Sequence, residues 1–290
     1  RCKLVVADVC EPGTWDALLP KFSPEVVIHL AAETGTGQSL TEASRHALVN
    51  VVGTSQLLDG LHRHGAIPAK LLLSSSRAVY GEGAWQREDG SVHYPGQRSA
   101  DQLAKGEWDF AGSRPLPFQA ARTQPAPTSI YGSTKLAQEH LITTWALAHG
   151  VSTRILRLQN VYGPGQSLSN PYTGIVSLFV RLAKQHKAIP LYEDGDMTRD
   201  FVLIDDVASA LLAALEAEQG GFVLDVGTGV ASSIAQMADV IAQRYGAPAP
   251  FVTGQFRNGD VRHAACNIED TRATLAWAPR FDLATGLGLL

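Results

Sequence analysis

The chain has 290 residues, 45% of them hydrophobic, and a formal net charge of −4. This length predicts one large domain or two closely joined ones, and the mildly acidic balance gives no indication of a nucleic-acid or membrane partner. Three cysteines without a CxxC motif or metal-ligand cluster indicate reduced thiols and no metal site, so we expect a cytoplasmic protein without a signal peptide.

Short apolar runs alternate with amphipathic helical stretches along most of the chain. The predicted strands are residues 4–9, 26–32, 70–76, 152–163 and 221–227, and the predicted helices are residues 41–64, 133–149 and 205–217. Buried strands separated by helices predict an α/β fold with a doubly wound parallel sheet. Ligands of such sheets bind at the carboxyl ends of the strands, so we expect the chemistry just after each strand.

Two regions interrupt this alternation. Residues 81–128 are rich in Gly, Pro, Arg, Gln and Ser, and so long a connection is typical of a functional excursion or a mobile segment. Residues 164–200 contain a turn-rich run and then the helix-like "IVSLFVRLAKQH". Together with residues 228–290 they are predicted to form a smaller domain over the sheet. The sheet itself is predicted to belong to a larger domain that comprises residues 1–163 and 201–227.

The first strand ends carry few polar groups. Asp8 ends the first predicted strand, where its carboxylate could accept a hydrogen bond from an adenine, although taken alone the residue is better explained as a turn or helix cap. Ala31 and Ala32 are small enough for a flat cofactor to lie against the backbone, or for close packing alone. Asn50 lies on a largely apolar helix, where a buried amide must find partners, and bracing a neighbouring strand end would supply them.

Three consecutive serines, Ser74, Ser75 and Ser76, end the strongly apolar strand 70–76, which predicts hydroxyl groups facing the ligand crevice. Tyr131 and Lys135 then lie four residues apart, on one face of a helix. A nearby ammonium favours the phenolate and lowers the pKa of a tyrosine, so that it can take a proton from an alcohol. Since no side chain carries a hydride, such a trio would need a nicotinamide cofactor.

The YxxxK spacing occurs by chance in many helices, and its context decides its meaning. The order "ADV", "HLAA", "NVVGT", "LLLSSSRAVYG", "YGSTK", "RLQNVYGPGQ", "TRDFVLIDDVA" and "GDVRHAACNI" resembles the extended short-chain dehydrogenase/reductase family, above all its nucleotide-sugar epimerases and dehydratases. The resemblance implies a Rossmann domain that binds NAD, with NADP as the alternative. It also implies a smaller C-terminal domain for a nucleotide-sugar substrate and a homodimer formed by the Tyr131 and Asn50 helices.

The resemblance assigns roles by motif. Tyr131 corresponds to the catalytic acid/base, Lys135 to the partner that lowers its pKa and reaches the nicotinamide ribose, and Ser76, four residues before Tyr80, to the catalytic serine. The implied cofactor contacts are Asp8, Val9, Leu30, Ala31, Ala32, Asn50, Ser74, Ser75, Tyr131 and Lys135. The implied substrate contacts are Asn160 and Tyr162, together with Arg199 and Arg262 at the diphosphate, whose oxygens a guanidinium matches in geometry.

One feature of the family is absent from the sequence. No glycine-rich GxxGxxG motif is present, and neither is the residue that distinguishes NAD from NADP. In the family both precede "ADV", with which this sequence nearly begins. We interpret the absence as truncation, so that the first strands of the Rossmann sheet are missing from the sequence.

The sequence narrows the choice among the reactions that this family catalyses. The family's dehydratases place Asp-Glu after the catalytic threonine, whereas Arg77 and Ala78 follow Ser76, which disfavours 4,6-dehydration. Tyr80 and Tyr131 are 51 residues apart, and this long insertion resembles that of bacterial dTDP-L-rhamnose 4-epimerases. A 4-epimerase with tightly bound NAD is therefore expected. The alternatives are a nucleotide-sugar 4-ketoreductase, a 4,6-dehydratase and a catalytically silent NAD-binding scaffold.

Overall fold

The computed structural model describes residues 3–167 and 174–290. Residues 168–173, in the motif "VYGPGQSLSNPYTGI", lie outside the described residues. The strands are β1 (Val26–His29), β2 (Lys70–Ser76), β3 (Trp85–Arg87), β4 (Val92–His93), β5 (Ser113–Pro115), β6 (Ser152–Leu158), β7 (Asn160–Tyr162), β8 (Pro190–Leu191), β9 (Thr198–Arg199), β10 (Phe201–Leu203), β11 (Phe222–Val226), β12 (Ser232–Ser233), β13 (Phe251–Val252) and β14 (His263–Ala264).

The helices follow the predicted alternation with the strands. They are α1 (Pro12–Leu18), α2 (Thr36–Ser39), α3 (Ala43–His46), α4 (Gly53–Arg63), α5 (Ala100–Ala104), α6 (Ile130–His149), α7 (Ile175–Lys184), α8 (Ile204–Glu216), α9 (Ile234–Tyr245), α10 (Glu269–Leu275) and α11 (Leu283–Leu287). A π-helical turn, Ala47–Val52, joins α3 to α4, and a 3-10 turn, Arg77–Tyr80, follows β2. Helices predicted at 41–64, 133–149 and 205–217 are thereby confirmed.

A parallel sheet with the order β1-β2-β6-β11 forms the centre of the fold. Along β2, Leu71 and Leu73 pack on the side of α6, where they meet Ile142, while Leu72 packs on the other side, where it meets Ala210 of α8. Alternate side chains of a strand point to opposite faces, so an apolar run is buried on both. The predicted α/β fold with a parallel sheet is confirmed.

The strand predicted at residues 4–9 is wrong for this structure. Residues 3–8 have no regular secondary structure, and the side chains of Leu4 and Val6 are 85% and 92% exposed. A strand exists only where its backbone bonds to a neighbour. Among the described strands none pairs with this segment, so its apolar sequence alone does not order it.

The long insertion, residues 81–128, has regular structure. Its strands form an antiparallel sheet in the order β4-β3-β5, with Trp85 completely buried. The ring of Phe118 stacks on that of Tyr80 with 4.6 Å between centroids. The backbone of Phe118 also exchanges hydrogen bonds of 2.8 Å with Ala265 and Asn267, so the insertion is bonded directly to the C-terminal part of the chain.

A buried ion network also joins the insertion to the rest of the protein. The guanidinium of Arg98 bonds both carboxylate oxygens of Glu193 at 2.8 Å and lies 3.3 Å from Glu82. Glu193 also accepts a bond of 3.1 Å from Arg262, which in turn bonds Asp109 of the insertion. The network holds Glu193 at a φ of 52°, a left-handed conformation that costs a non-glycine residue about 1–2 kcal/mol.

A second apolar cluster lies around α7 and α9, where Phe179 and Val180 pack against Met237 and Ile241. The helix expected in "IVSLFVRLAKQH" is confirmed as α7. The division into two domains stays a prediction. Within residues 3–167 and 174–290, no helix is both long and apolar enough to cross a bilayer.

Replacing Arg98 with Met should destabilise the fold by about 3–5 kcal/mol, because the buried carboxylates of Glu193 and Glu82 lose their closest cation. Urea denaturation measures the change in the free energy of unfolding. Arg114→Met is the matched control, since Arg114 is an exposed arginine of the same insertion whose guanidinium bonds the side chain of Gln86. A loss below 1 kcal/mol for Arg98→Met would contradict the stabilising role of the network.

Candidate active site

The strand-end serines do not share one environment. Ser75 is buried and donates a hydrogen bond of 2.5 Å to Glu139 on α6, whose carboxylate also holds Arg157 at 2.7 and 3.0 Å. Ser74 reaches the carbonyl of His29 at 3.4 Å. Burial raises the pKa of Tyr131, and of the three serines only Ser76, at the tip of β2, opposes that rise through its side chain. Ser76 also caps the following 3-10 turn by accepting a bond of 3.2 Å from the amide of Ala78.

Tyr131 lies in the first turn of α6, and a glycine lets this turn approach the end of β2. The hydroxyl of Ser129 caps the helix by accepting a bond of 3.0 Å from the amide of Gly132. A Cβ atom at Gly132 would lie 2.4 Å from the carbonyl oxygen of Ala78, so any side chain there would push the helix away. The glycine thus permits the close approach of α6 to the 3-10 turn that follows Ser76.

The electrostatic surroundings of Tyr131 favour the neutral phenol in one respect and the phenolate in two. Burial raises the pKa of Tyr131 above its ordinary value, whereas the hydrogen bond with Ser76 and the positive charge of Arg77 lower it. The ring of His46 lies edge-on at 6.4 Å between centroids. Arg77 disfavours dehydration by its place after Ser76, and its charge and its bond to Asn160 also make it part of the site.

Lys135 is buried one turn further along α6, and its ammonium donates a hydrogen bond to the side-chain oxygen of Gln138. The amide nitrogen of Gln138 in turn bonds Thr54 at 2.8 Å and lies 3.2 Å from the ring nitrogen of His29. Burial lowers the pKa of Lys135 to about 8, against the opposing charge of Glu139. The lysine is thus fixed by a polar network that links α6 to α4 and β1.

The loop after β1 is held in place by Asn50, whose buried side-chain amide was expected to find hydrogen-bond partners at a neighbouring strand end. Asn50 accepts a bond of 2.7 Å from the amide of Glu33 and donates one of 3.0 Å to its carbonyl, and it donates another of 2.9 Å to Thr134 on α6. Just before this loop, Leu30 is exposed and Ala31 and Ala32 are half-buried. These apolar side chains leave an accessible surface at the carboxyl edge of the sheet, which fits a flat ring system.

Asp8 and Val9 lie in a turn that precedes α1. The carboxylate of Asp8 accepts a bond of 2.8 Å from the amide of Cys10, and the carbonyl of Val9 accepts one of 3.0 Å from the indole of Trp15. Asp8 is exposed. Its role in the turn accounts for the residue in this structure, while its contact with an adenine stays a prediction.

The predicted substrate residues differ in accessibility. Asn160 accepts a hydrogen bond of 2.6 Å from the guanidinium of Arg77, the residue that directly follows Ser76. Tyr162 is buried in the cluster around α7, where burial raises the pKa of its phenol, and the backbone of Gly286 packs against its hydroxyl. Asn160 therefore lies at the candidate site, whereas Tyr162 lies behind it.

The two predicted diphosphate arginines are also unlike each other. Arg199 is buried, and its bonds are to the backbone carbonyls of Thr198 and Arg262 at 2.7 and 3.3 Å. Among the residues that the structure describes, no carboxylate forms a salt bridge with it. Arg262 instead bonds Asp194 at 2.7 and 2.8 Å and Asp109 at 3.0 and 3.1 Å. A diphosphate on Arg262 would have to replace these carboxylates.

The chain belongs to the NAD dependent epimerase/dehydratase family, whose model matches residues 1–104 and 110–227. The family resemblance drawn from the motifs is thereby confirmed. Among curated proteins, the chain is 61% identical over 291 residues to dTDP-L-rhamnose 4-epimerase of Burkholderia thailandensis. The alignment covers 100% of this chain and 80% of that protein. It is 28% identical over 288 residues to UDP-glucose 4-epimerase of Mycolicibacterium smegmatis, covering 99% of this chain and 81% of that protein.

Solved structures agree with this placement. The structure of UDP-glucose 4-epimerase with UDP-glucose from Thermotoga maritima superposes with a TM-score of 0.81 at 27% identity, covering 98% of this chain and 81% of that one. A second, MoeE5 in complex with UDP-glucuronic acid and NAD, has a TM-score of 0.75 at 28% identity, with 98% and 83% coverage. The Rossmann fold expected from the sequence is confirmed.

Replacing Gly132 with Ala should destabilise the protein, although alanine is the better helix former by about 1 kcal/mol. The new Cβ meets the carbonyl of Ala78, so α6 must retreat and carry Tyr131 away from the end of β2. Urea denaturation measures the first effect, and the pH titration of the Tyr131 phenol the second. Gly13→Ala is the matched control, because Gly13 is helical and has open space where its Cβ would be. Unchanged stability in Gly132→Ala would refute the close contact.

Proposed function

We propose that the protein is an NAD-dependent nucleotide-sugar 4-epimerase whose substrate is dTDP-L-rhamnose. The observation that carries the proposal is the packing of the first turn of α6, which bears Tyr131, against the 3-10 turn that directly follows Ser76 at the carboxyl end of β2. It places an acid/base group beside a hydroxyl that can hold a substrate oxygen. The choice of sugar rests on the 61% identity to a dTDP-L-rhamnose 4-epimerase.

Tyr131 takes the proton from the C4 hydroxyl of the sugar as C4 is oxidised, and Ser76 holds that oxygen in line with the phenol. Once the 4-keto sugar has turned over, Tyr131 returns the proton when C4 is reduced on its other face. NAD, when bound, supplies the two-electron oxidation and its reversal. The residues that would hold it are Ala31, Ala32 and Lys135, with the loop braced by Asn50 beside them.

The geometry supports different roles for the remaining residues that the sequence singled out. Arg199, buried and without a carboxylate partner among the described residues, is free to bind a diphosphate. Ser75 has a structural role, since its hydroxyl is engaged by Glu139. The homodimer, the two-domain division and the cytoplasmic location stay predictions. Exposed Leu48, Val52 and Leu147 on the helices expected to pair are consistent with the dimer.

Incubation of the purified protein and NAD with dTDP-L-rhamnose should yield a mixture of the sugar and its C4 epimer, measured by NMR, without net formation of NADH. Net oxidation of C4 to the 4-keto sugar, with stoichiometric formation of reduced nicotinamide cofactor, would favour the ketoreductase running in reverse instead. Retained NAD binding without product from any nucleotide sugar would favour the scaffold.

Tyr131→Phe should lower kcat roughly a hundredfold to ten-thousandfold, because it removes the group that moves the proton while keeping the ring. Binding of the nucleotide sugar, measured by calorimetry, should stay nearly unchanged. Tyr94→Phe is the matched control, since Tyr94 is an exposed tyrosine of the insertion. A rate for Tyr131→Phe near that of the unmodified protein would refute the assignment of Tyr131.

A further inference from the structure

Three carboxylates engage all five hydrogen-bond donors of the Arg262 guanidinium. Asp109 accepts bonds of 3.0 and 3.1 Å from Nε and Nη2, and Asp194 accepts bonds of 2.7 and 2.8 Å from Nη1 and Nη2. Glu193 accepts the remaining bond, of 3.1 Å, from Nη1. Because a guanidinium has five N–H groups, another anion can bind Arg262 only by replacing one of these carboxylates.

Negative charge is in excess around this guanidinium. Glu193 is shared with a second cation, since both of its oxygens accept bonds of 2.8 Å from Arg98. Asp109 and Asp194 remain, and both face the single charge of Arg262, on adjacent edges of its plane. Two like charges close together repel each other, so this arrangement favours release of the carboxylate that is more weakly held.

Asp109 is the most weakly held of the three. Its side chain is 52% exposed, against 34% for Asp194 and 1% for Glu193. The carboxylate of Asp194 is also fixed locally by a bond of 2.9 Å from the amide of Asp196, whereas the further partner of Asp109 is the imidazole of His263 at 3.1 Å. Water competes with an exposed ion pair, which is therefore worth little. A ligand anion can thus replace Asp109 at the lowest cost.

The backbone at Asp109 is held independently of its carboxylate. The carbonyl of Asp109 accepts a bond of 3.0 Å from the side-chain amide of Gln102. The ring of the next residue, Phe110, packs edge-on against the buried Trp85, with 4.8 Å between centroids. The carboxylate can therefore leave Arg262 by rotation about its side-chain bonds while the insertion keeps its position.

Arg262 lies next to Arg199, the buried arginine without a carboxylate partner among the described residues. The guanidinium of Arg199 donates a bond of 3.3 Å to the carbonyl of Arg262, and β9 and β14 pair in parallel beside them. Phosphate oxygens match the edge of a guanidinium as carboxylate oxygens do. A phosphate is thus a chemically suitable replacement for the carboxylate of Asp109 at the Nε and Nη2 edge of Arg262.

We propose that the carboxylate of Asp109 occupies the edge of Arg262 to which a phosphate of the nucleotide sugar binds, and that it leaves this edge when the ligand enters. The insertion thereby takes part in substrate binding, because it supplies a competitor that lowers the affinity for nucleoside diphosphates. The choice of ligand rests on the proposed 4-epimerase function, whereas the competition is a property of the Asp109–Arg262 pair.

The test measures the binding of dTDP to Asp109→Ala by calorimetry. The affinity should rise about two- to fivefold, because the ligand no longer has to break an exposed ion pair before it reaches Arg262. Asp109→Asn, which keeps the shape of the side chain without its charge, should change the affinity in the same direction. Asp101→Ala is the matched control, since Asp101 is an exposed acid in the first turn of α5 of the same insertion, and it should leave the affinity unchanged.

A double substitution shows whether the competition acts through Arg262. In the Arg262→Met background, Asp109→Ala should bring no gain in affinity for dTDP, because the group for which the carboxylate competes is missing. Unchanged or weaker binding in Asp109→Ala, or an equal gain in Asp101→Ala, would overturn the proposal. Both single substitutions decide this even if Arg262→Met does not fold.

Turnover by the unmodified protein separates this proposal from the proposed function. Tighter binding of dTDP by Asp109→Ala supports the competition even if dTDP-L-rhamnose is not epimerised, in which case the proposed function alone fails. Equal affinities for dTDP in Asp109→Ala and in an unmodified protein that is an active epimerase refute the competition alone.

Discussion

The site depends on the close approach of α6 to the end of β2. The carboxyl edge of a parallel sheet supplies a hydroxyl at Ser76, and a helix on its face supplies a phenol at Tyr131. Their two elements come close because Gly132 has no side chain to collide with the carbonyl of Ala78. The approach of a helix and a strand end whose functional residues are 55 positions apart in sequence therefore depends on one missing methyl group.

Buried polar networks hold this contact from both sides. Asn50 ties the loop after β1 to α6, and Gln138 joins Lys135 to His29. Glu139 accepts hydrogen bonds from the side chains of both Ser75 and Arg157. Buried polar groups of this kind are costly without partners, so the hydrogen bonds that they make here favour one position of the helix over others. A fixed helix is what an acid/base pair needs, because proton transfer requires hydrogen-bonding distance.

The sequence was sufficient to predict the parallel sheet, the principal helices and the Tyr131–Lys135 face, because apolar periodicity and i,i+4 spacing are local properties of the chain. The strand at residues 4–9 could not be judged in this way, since a strand needs a neighbour and local sequence does not show whether one is present. The carboxylates that bond Arg262 could not be predicted from the sequence either. Glu193 and Asp109 are distant in sequence and follow no motif, and only tertiary structure brings them together.

Arg77 is a residue whose sequence context carries more than one meaning. A charged residue directly after an apolar strand and three serines is unusual, and it indicated more than the absence of a dehydratase acid pair. The insertion shows the opposite case. Its composition suggested an irregular excursion, yet Trp85 and the ion network of Arg98 give it a buried core and a fixed attachment. Composition does not reveal such long-range pairing.

The most direct test of the proposed reaction follows the hydrogen at C4. With dTDP-L-rhamnose that carries deuterium at C4, transient oxidation and re-reduction within one active site should give a C4 epimer that keeps the deuterium at C4, as observed by NMR and mass spectrometry. Loss of the deuterium to solvent, or to free nicotinamide cofactor in the medium, would contradict the account.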